Sequence, residues 1–404
     1  MMRIPRIGGT AARSCALLAA ALGAACESGS DPDLPPAPRT WEWTELGGPD
    51  AATPELVANH ETLVVAGSDL LLGTADGVWR RPLGGDGPWE RSGLEQRTIH
   101  ALAKTADGGR IVAAGFDPRD ESAPTVWYST SGGIDWVPAS TWPRGAPGQP
   151  DAGRSFRFAT LEPDPHDPYV VYGGLDADSI AVTVDGGATW LLANGALSPS
   201  FGYPCVPHRL RAAPVLLQGC ELPLDFAWVG AYDVDEDDRF SLSDFRYLRG
   251  YPHAEELGNR RINAIASPSG RDDRLLVGVE GALLEITSMD PSWRDRTRIE
   301  ASWVYRSTGD SASMPYTYVR AIAPLSADGR HVLFGGTVNG TNEVLSLFET
   351  STDGTAVWRL SAPVSLTDPR VEQAVRLGSD DVLLVISDVD AASRRSSRVY
   401  RLRR

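Results

Sequence analysis

The stretch DVDEDDRFSLSD, residues 233 to 244, sets Asp233, Asp235, Asp237, Ser241 and Asp244 at positions 1, 3, 5, 9 and 12 of a loop, with Phe240 at the eighth. Alternating carboxylates on a tight loop offer the six or so oxygen ligands a hard cation takes, so this is a candidate calcium site. Two features oppose it. Asp238 stands sixth, where glycine normally permits the bend, and the flanking FAWVGAYDV reads as a strand rather than an entering helix. The alternative is an acidic, solvated hairpin loop.

A second constellation recurs: STSGGIDW (129 to 136), TVDGGATW (183 to 190) and STDGTAVW (351 to 358), with weaker forms at LGGDGPWE (83 to 90) and TSMDPSWR (287 to 294). A short Asp or Ser side chain can accept backbone N–H bonds inside a tight turn. Glycine can take positive φ there, and a following tryptophan can cover the turn. Each strong copy is preceded by a short strand (PTVWY, SIAV, LSLFE) and followed by another (VPAS, LLAN, RLSA), so each marks a hairpin. The chemistry of these carboxylates is expected to be structural. No H-E-x-x-H, C-x-x-C, Walker loop or G-x-S-x-G occurs, and the six histidines are dispersed. A catalytic role is therefore not expected, and no catalytic residue is assigned.

The hairpins need a scaffold. Upstream of them lie β-rich apolar runs ending at Gly73, Gly115, Gly173, Gly219, Gly278 and Gly335, and a glycine-free run around Ile386, at intervals of 42 to 59 residues. Ahead of these come TIHALAK, RFATLEP, RINAIAS, YVRAIAP and VEQAVRL. The sum is a unit of about four strands repeated about seven times, which predicts an all-β, seven-bladed β-propeller. The last unit is one strand short, while TWEWTEL (40 to 46) is a strand without a unit. Pairing the two would close the ring and remove two exposed edges.

Thr183, Asp185, Gly187 and Trp190 match the S/T-x-D-x-G-x-x-W pattern, and the chain resembles the Asp-box, sialidase-like (BNR) propellers over most of residues 40 to 404. Ser129, Gly133 and Trp136 match with Ser131 replacing the acid; Ser351, Asp353 and Trp358 match with Thr355 replacing glycine. The resemblance implies that the box lies between the third and fourth strands of a blade, remote from the family's catalytic face. Sialidases also carry an Arg-Ile-Pro motif, an arginine triad and a Tyr/Glu pair. Here Arg-Ile-Pro occurs only at Arg3 to Pro5, no motif singles out a triad, and seven blades rather than six oppose that activity. A glycoside hydrolase resembling sialidases or propeller endoglucanases is the alternative function; it would need two carboxylates about 5–10 Å apart.

Residues 1 to 25 read as a signal peptide, with Arg3, Arg6 and Arg13 ahead of the apolar run CALLAAALGAA. LGAAC resembles a bacterial lipobox, with Leu22 one position further from the cysteine than usual, which makes Cys26 the expected lipidation site; plain secretion after Ala25 is the alternative. Residues 26 to 39 suit a tether and 40 to 404 the propeller. Cys205 and Cys220 are left to pair in an oxidising compartment. Without the leader 35 basic residues face 53 acidic ones, a balance that repels nucleic acid and anionic lipid. The expectation is an exported, lipid-anchored monomer in the periplasm or at the cell surface, touching membrane only through Cys26. It would bind or scaffold a protein or glycan ligand on the loop-lined face, with no cofactor unless calcium binds.

Overall fold

The computed structural model describes residues 40–49, 62–144, 155–175, 179–193, 205–211, 213–222, 226–235, 242–247, 262–269, 271, 273–290, 292–295, 298–306, 317–338, 345–362, 366–389 and 395–404. Residues 1 to 39, including Cys26, lie outside them, as do Asp237 and Ser241; of Cys220 and Asp244 only the backbone is described. Among the described residues no helix is long and apolar enough to cross a membrane.

The described residues open with β1 (Glu42–Gly47), and the first blade follows as β2 (Leu63–Ala66), β3 (Asp69–Thr74), β4 (Gly77–Pro82) and β5 (Glu90–Arg91). Blade two holds β6 (Thr98–Lys104), β7 (Ile111–Phe116), β8 (Val126–Ser129) and β9 (Val137–Pro138). Blade three holds β10 (Phe158–Pro163), β11 (Val171–Leu175), β12 (Ile180–Thr183) and β13 (Leu191–Leu192). Blade four has β14 (Val206–Arg209), β15 (Val215–Leu222), β16 (Phe226–Val234) and β17 (Leu242–Tyr247). Blade five has β18 (Ile262–Ala266), β19 (Arg274–Val279), β20 (Ala282–Ser288) and β21 (Ile299–Arg306). Blade six has β22 (Thr317–Pro324), β23 (Val332–Val338), β24 (Leu347–Thr350) and β25 (Val357–Arg359). The last blade contributes β26 (Arg370–Gly378), β27 (Asp381–Val389) and β28 (Arg395–Arg403).

Each blade is a four-stranded antiparallel sheet, and the seventh is completed in the order β1-β28-β27-β26. Trp43 pairs with Leu402 and Gly47 with Val399, so β1 and β28 share one ladder and the expected closure is present. The fold is a seven-bladed β-propeller.

The core is divided into seven slabs, one at every junction between neighbouring blades. Leu63, Leu70 and Leu72 of blade one pack on Leu383, Val385 and Val399 of blade seven, and corresponding clusters fill the other six junctions. This explains the continuous apolar runs. A second strand such as β19 lies between two sheets and is buried at every residue, whereas innermost β22 alternates strictly.

Five of the seven innermost strands carry a register shift at the same level. It falls at Ile99/Ala101, Phe158/Thr160, Ile262/Ala264, Val319/Ala321 and Val371/Gln373. The residues skipped are His100, Ala159, Asn263, Arg320 and Glu372. A bulge releases one side chain from its strand's alternation and re-aims it, here around the axis of the ring.

Candidate functional site

The octets occupy the turns from third to fourth strand, as their resemblance implied: β8 to β9, β12 to β13, and β24 to β25. In the fullest copy, Thr183 Oγ1 accepts the Gly187 N–H at 2.9 Å and donates to Asp185 Oδ1 at 2.8 Å. Asp185 in turn accepts the Thr189 amide at 2.9 Å and its hydroxyl at 2.6 Å. Gly186 and Gly187 sit at φ 73° and 103°, where an L side chain is strained. Trp190 is 1% exposed, donates its indole N–H to Gly187 O at 3.1 Å and meets Phe158 edge-on at 4.7 Å. In the other copies Ser129 Oγ accepts the Gly133 amide, and Ser351 Oγ the Thr355 and Ala356 amides. Thr355 thus fills the glycine position with its amide intact. The Ser351 hydroxyl and the Thr355 amide and hydroxyl hold the Asp353 carboxyl down at about 2.

The weaker copy at 287 to 294 is built the same way. Asp290 accepts the Ser292, Arg294 and Asp295 amides, and Trp293 is fully buried. The turns also clasp neighbouring blades: Arg110 of blade two lies between the Tyr128 and Tyr169 rings and donates to Asp185 O at 2.7 Å. Asp185→Ala should therefore lower unfolding free energy by about 1–3 kcal/mol by stripping a charged acceptor from three donors. Urea unfolding measures it, and a wild-type midpoint would refute the structural role.

The acidic stretch of blade four falls in the same turn position, between β16 and β17. Asp233, next to last in β16, is buried, its Oδ2 accepting from Arg294 of the next blade at 2.6 Å, while Asp235 is exposed. Asp237, Ser241 and the Asp244 side chain lie outside the described residues. No group of three His, Cys, Asp or Glu arranged for a metal occurs among the described residues.

On the ring axis lies a cavity of about 120 Å³. Its polar lining comes from innermost strands: Thr160 and Glu162 of β10, Asn263 of β18, Arg320 of β22, Glu372 and Gln373 of β26. Three of these are bulge residues. Arg320 pairs with Glu372 at 3.4 Å, and the other Glu372 oxygen takes the Ser387 hydroxyl at 2.5 Å. Glu162 Oε1 lies 3.1 Å from both His208 Nδ1 and the Arg209 amide. Gln373 is spent on the Leu63 backbone, bridging blade seven to blade one. Among the described residues one arginine and no tyrosine line the cavity, so the sialidase constellation is not found among them there; two carboxylates do line it, each already engaged. At the bulge of β6, burial and then the Arg157 charge push His100 down to about 4, keeping its imidazole neutral at pH 7.

Reading the sequence missed this ring of bulge residues. The signal was present in the strands themselves, I-H-A-L, I-N-A-I and V-R-A-I, each with a lone polar residue beside an apolar one.

The face carrying the second-to-third-strand turns and the links between blades is also built with charge. Asp76 accepts the Gln96 amide at 3.0 Å and pairs with Arg91, whose guanidinium holds its carboxyl below the usual carboxylate range. Arg119 donates to Gln96 Oε1, and Arg97 pairs with Asp117. Loops of blades one and two are thereby joined in one network.

No family model and no curated protein sequence matches the chain. Solved structures do. YCF48 bound to D1 peptide shares 13% identity at a TM-score of 0.54, over 92% of this chain and 99% of that one. The Swd1 β-propeller domain of Myceliophteria thermophila shares 12% at 0.52, over 85% and 96%. A chain of the Mitotic Checkpoint Complex shares 11% at 0.55, over 100% and 99%. At such identities the likeness is one of fold, and the fold shared is the β-propeller.

Proposed function

We propose that the protein is an exported, lipid-anchored, non-catalytic propeller of the Asp-box type that binds a segment of a protein partner on its loop-bearing face. One observation carries this reading: on the loop-bearing face the loops of blades one and two are locked together by one charged network. On the hairpin face the described Asp-box carboxylates are consumed by backbone amides. On the loop face Asp76, Arg91, Gln96, Arg97, Asp117 and Arg119 form a preorganised charged surface. Preorganisation lowers the entropy lost on binding. YCF48, alike in fold, has been seen with a peptide bound, which adds support.

A photo-crosslinking residue tests the reading when placed at exposed Glu121, on the loop face, or at Ile134, 56% exposed in a hairpin turn. Protein adducts are expected from position 121 only. Equal yields from both would overturn the assignment of the face, and glycan-array binding without adducts would move the ligand to carbohydrate.

The anchor predicts that Cys26→Ser moves the protein from detergent to aqueous phase; unchanged partition would remove lipidation. What supports a Cys205–Cys220 disulfide is the ladder Val206↔Gly219, which sets those neighbours across from each other, and the bonded state of Cys205. Alkylation of denatured, unreduced protein should label neither cysteine.

Glu162 and Glu372 give a glycoside hydrolase reading its one observation, a carboxylate pair in one cavity. Their prior engagements favour binding. A fluorogenic glycoside panel is expected to show no turnover, and turnover abolished by Glu162→Gln would reverse the reading.

A further inference from the structure

The first strands of blades three, four and five bring a carboxylate, an imidazole and a hydroxyl into one line. Ser267, directly after β18, has its Oγ 2.9 Å from Nε2 of His208 on β14, and His208 Nδ1 lies 3.1 Å from Oε1 of Glu162 on β10. A carboxylate only accepts, so Nδ1 carries the ring proton and Nε2 is left with its lone pair. Ser267 must then donate to Nε2. In that order a base can draw the proton from a nucleophile while a third group orients the base, an arrangement known by its geometry and not by places in a sequence.

Each end of the relay is braced. Glu162 Oε1 also accepts the Arg209 amide at 3.1 Å, which fixes the carboxylate beside the ring. After Ser267, Pro268 packs so closely on Gly329 of blade six that a Cβ there would clash with its ring, and the Arg271 amide donates to Pro268 O at 3.1 Å. The hydroxyl is thus held in place before any reactant arrives. The relay is also within reach of solvent. Ser267 is partly exposed, and the His208 and Glu162 side chains keep 12% and 20% of their surface. Glu162 and His208 are next to last in their strands and Ser267 follows its own, so all three stand where the first-to-second-strand turns open on the hairpin face. That face is opposite the charged network of blades one and two.

We propose that Ser267 is an acyl-acceptor site, a nucleophile that takes a small acyl group from an activated ester, with His208 as its base and Glu162 positioning the imidazole. Ser267 Oγ bonds to the carbonyl carbon while its proton passes to His208 Nε2. The C–O bond to the leaving group then breaks, and the proton departs on the alkoxide. One ester and one serine give one acyl-serine and one alcohol, with no change of oxidation state. Partial burial of Ser267 restricts the acyl group to a small one. This covalent step does not depend on a partner bound at the loop face.

The test treats the full chain with p-nitrophenyl acetate at pH 7. Nitrophenol should be released in step with acetylation, and mass spectrometry should place the acetyl group on Ser267 and not on Ser269, an exposed serine two residues away. Ser267→Ala should lose the label, and His208→Gln should slow it by about a hundredfold, the lower end of what a positioned base contributes. Glu162→Gln should slow it too and, in nitrogen-15 spectra, move His208 away from the Nδ1-protonated form of the wild type. Hydrogen bonds that only tie blades together would leave the labelling rate unmoved. Should His208→Gln fail to fold, the contrast between Ser267 and Ser269 in the wild type still decides. No acetyl on Ser267, equal acetylation of both serines, or wild-type labelling of folded His208→Gln would each overturn the proposal. Nitrophenol release that runs on past one equivalent and needs Ser267 would support the nucleophile and overturn the non-catalytic reading above.

Discussion

Gly336→Ala should cost roughly 3–4 kcal/mol of unfolding free energy, enough to threaten soluble expression. A Cβ at this position would lie 1.6 Å from Tyr318 O and 3.2 Å from Arg320 N, both backbone atoms of the bulged innermost strand. Nothing flexible can yield: making room means undoing the bulge between Val319 and Ala321 and dragging Arg320 out of the cavity lining. Gly115 stands in the same relation to Thr98 O, at 2.0 Å, beside the bulge at His100. Gly84→Ala is the control, because no atom lies within 4 Å of its Cβ and its φ is ordinary. It should shift the urea midpoint by less than about 0.5 kcal/mol-equivalent. Equal midpoints for the two variants would show that the bulges impose no such demand.

Loss of the Glu349 carboxylate should be comparably severe. Glu349 is 2% exposed and accepts from Trp41 Nε1 at 3.0 Å, from His331 Nε2 at 2.6 Å and from Arg404, whose guanidinium also lies 4.1 Å over the Trp41 ring. Trp41, just ahead of β1, and Arg404, just after β28, are thus both fastened to blade six by one side chain. Glu349→Ala leaves a guanidinium and an indole N–H in an apolar slab without their acceptor, at a cost of about 3–5 kcal/mol.

Glu349 also gives stability a pH dependence. Burial pushes its carboxyl up, but the His331, Trp41 and Arg404 hydrogen bonds together outweigh that and leave it below the ordinary 4.5. A depressed folded value means the unfolded state binds protons first. The contribution is whole above pH 4.5 and lost as pH falls through the folded value. Urea midpoints taken from pH 6 to pH 3 should fall more steeply for wild type than for Glu349→Gln, and parallel slopes would refute the assignment.

These two sites divide what could be read from the sequence from what could not. Blade count, closure through β1 and the turn position of the octets followed from short-range signals: a glycine ending an apolar run, a hydroxyl two residues before an acid, a strand with no unit. Gly336 illustrates their limit. The doublet in HVLFGG signals close approach, yet only the bulge opposite shows that the second glycine meets a carbonyl.

Glu349 was less legible still. In LSLFE it is one acid after an apolar run, and its partners lie 308, 18 and 55 residues away, brought together only by closure. Asn263 stands in RINAIAS and Arg320 in YVRAIAP, where a lone polar residue in an alternating pattern reads as facing bulk water. Ring closure turns that outside into an axial cavity.

The pairing of β1 with β28 bears on how the molecule is made. Glu45 and Arg398, joined across that ladder at 2.7 Å, are 353 residues apart, so at roughly 5–20 residues per second β1 waits about 20–70 s for its partner. A chain interrupted before residue 395 has β1 with no ladder to join and a last blade short of two strands, the kind of ragged product that proteases remove. The ring is finished only once β28 has been made.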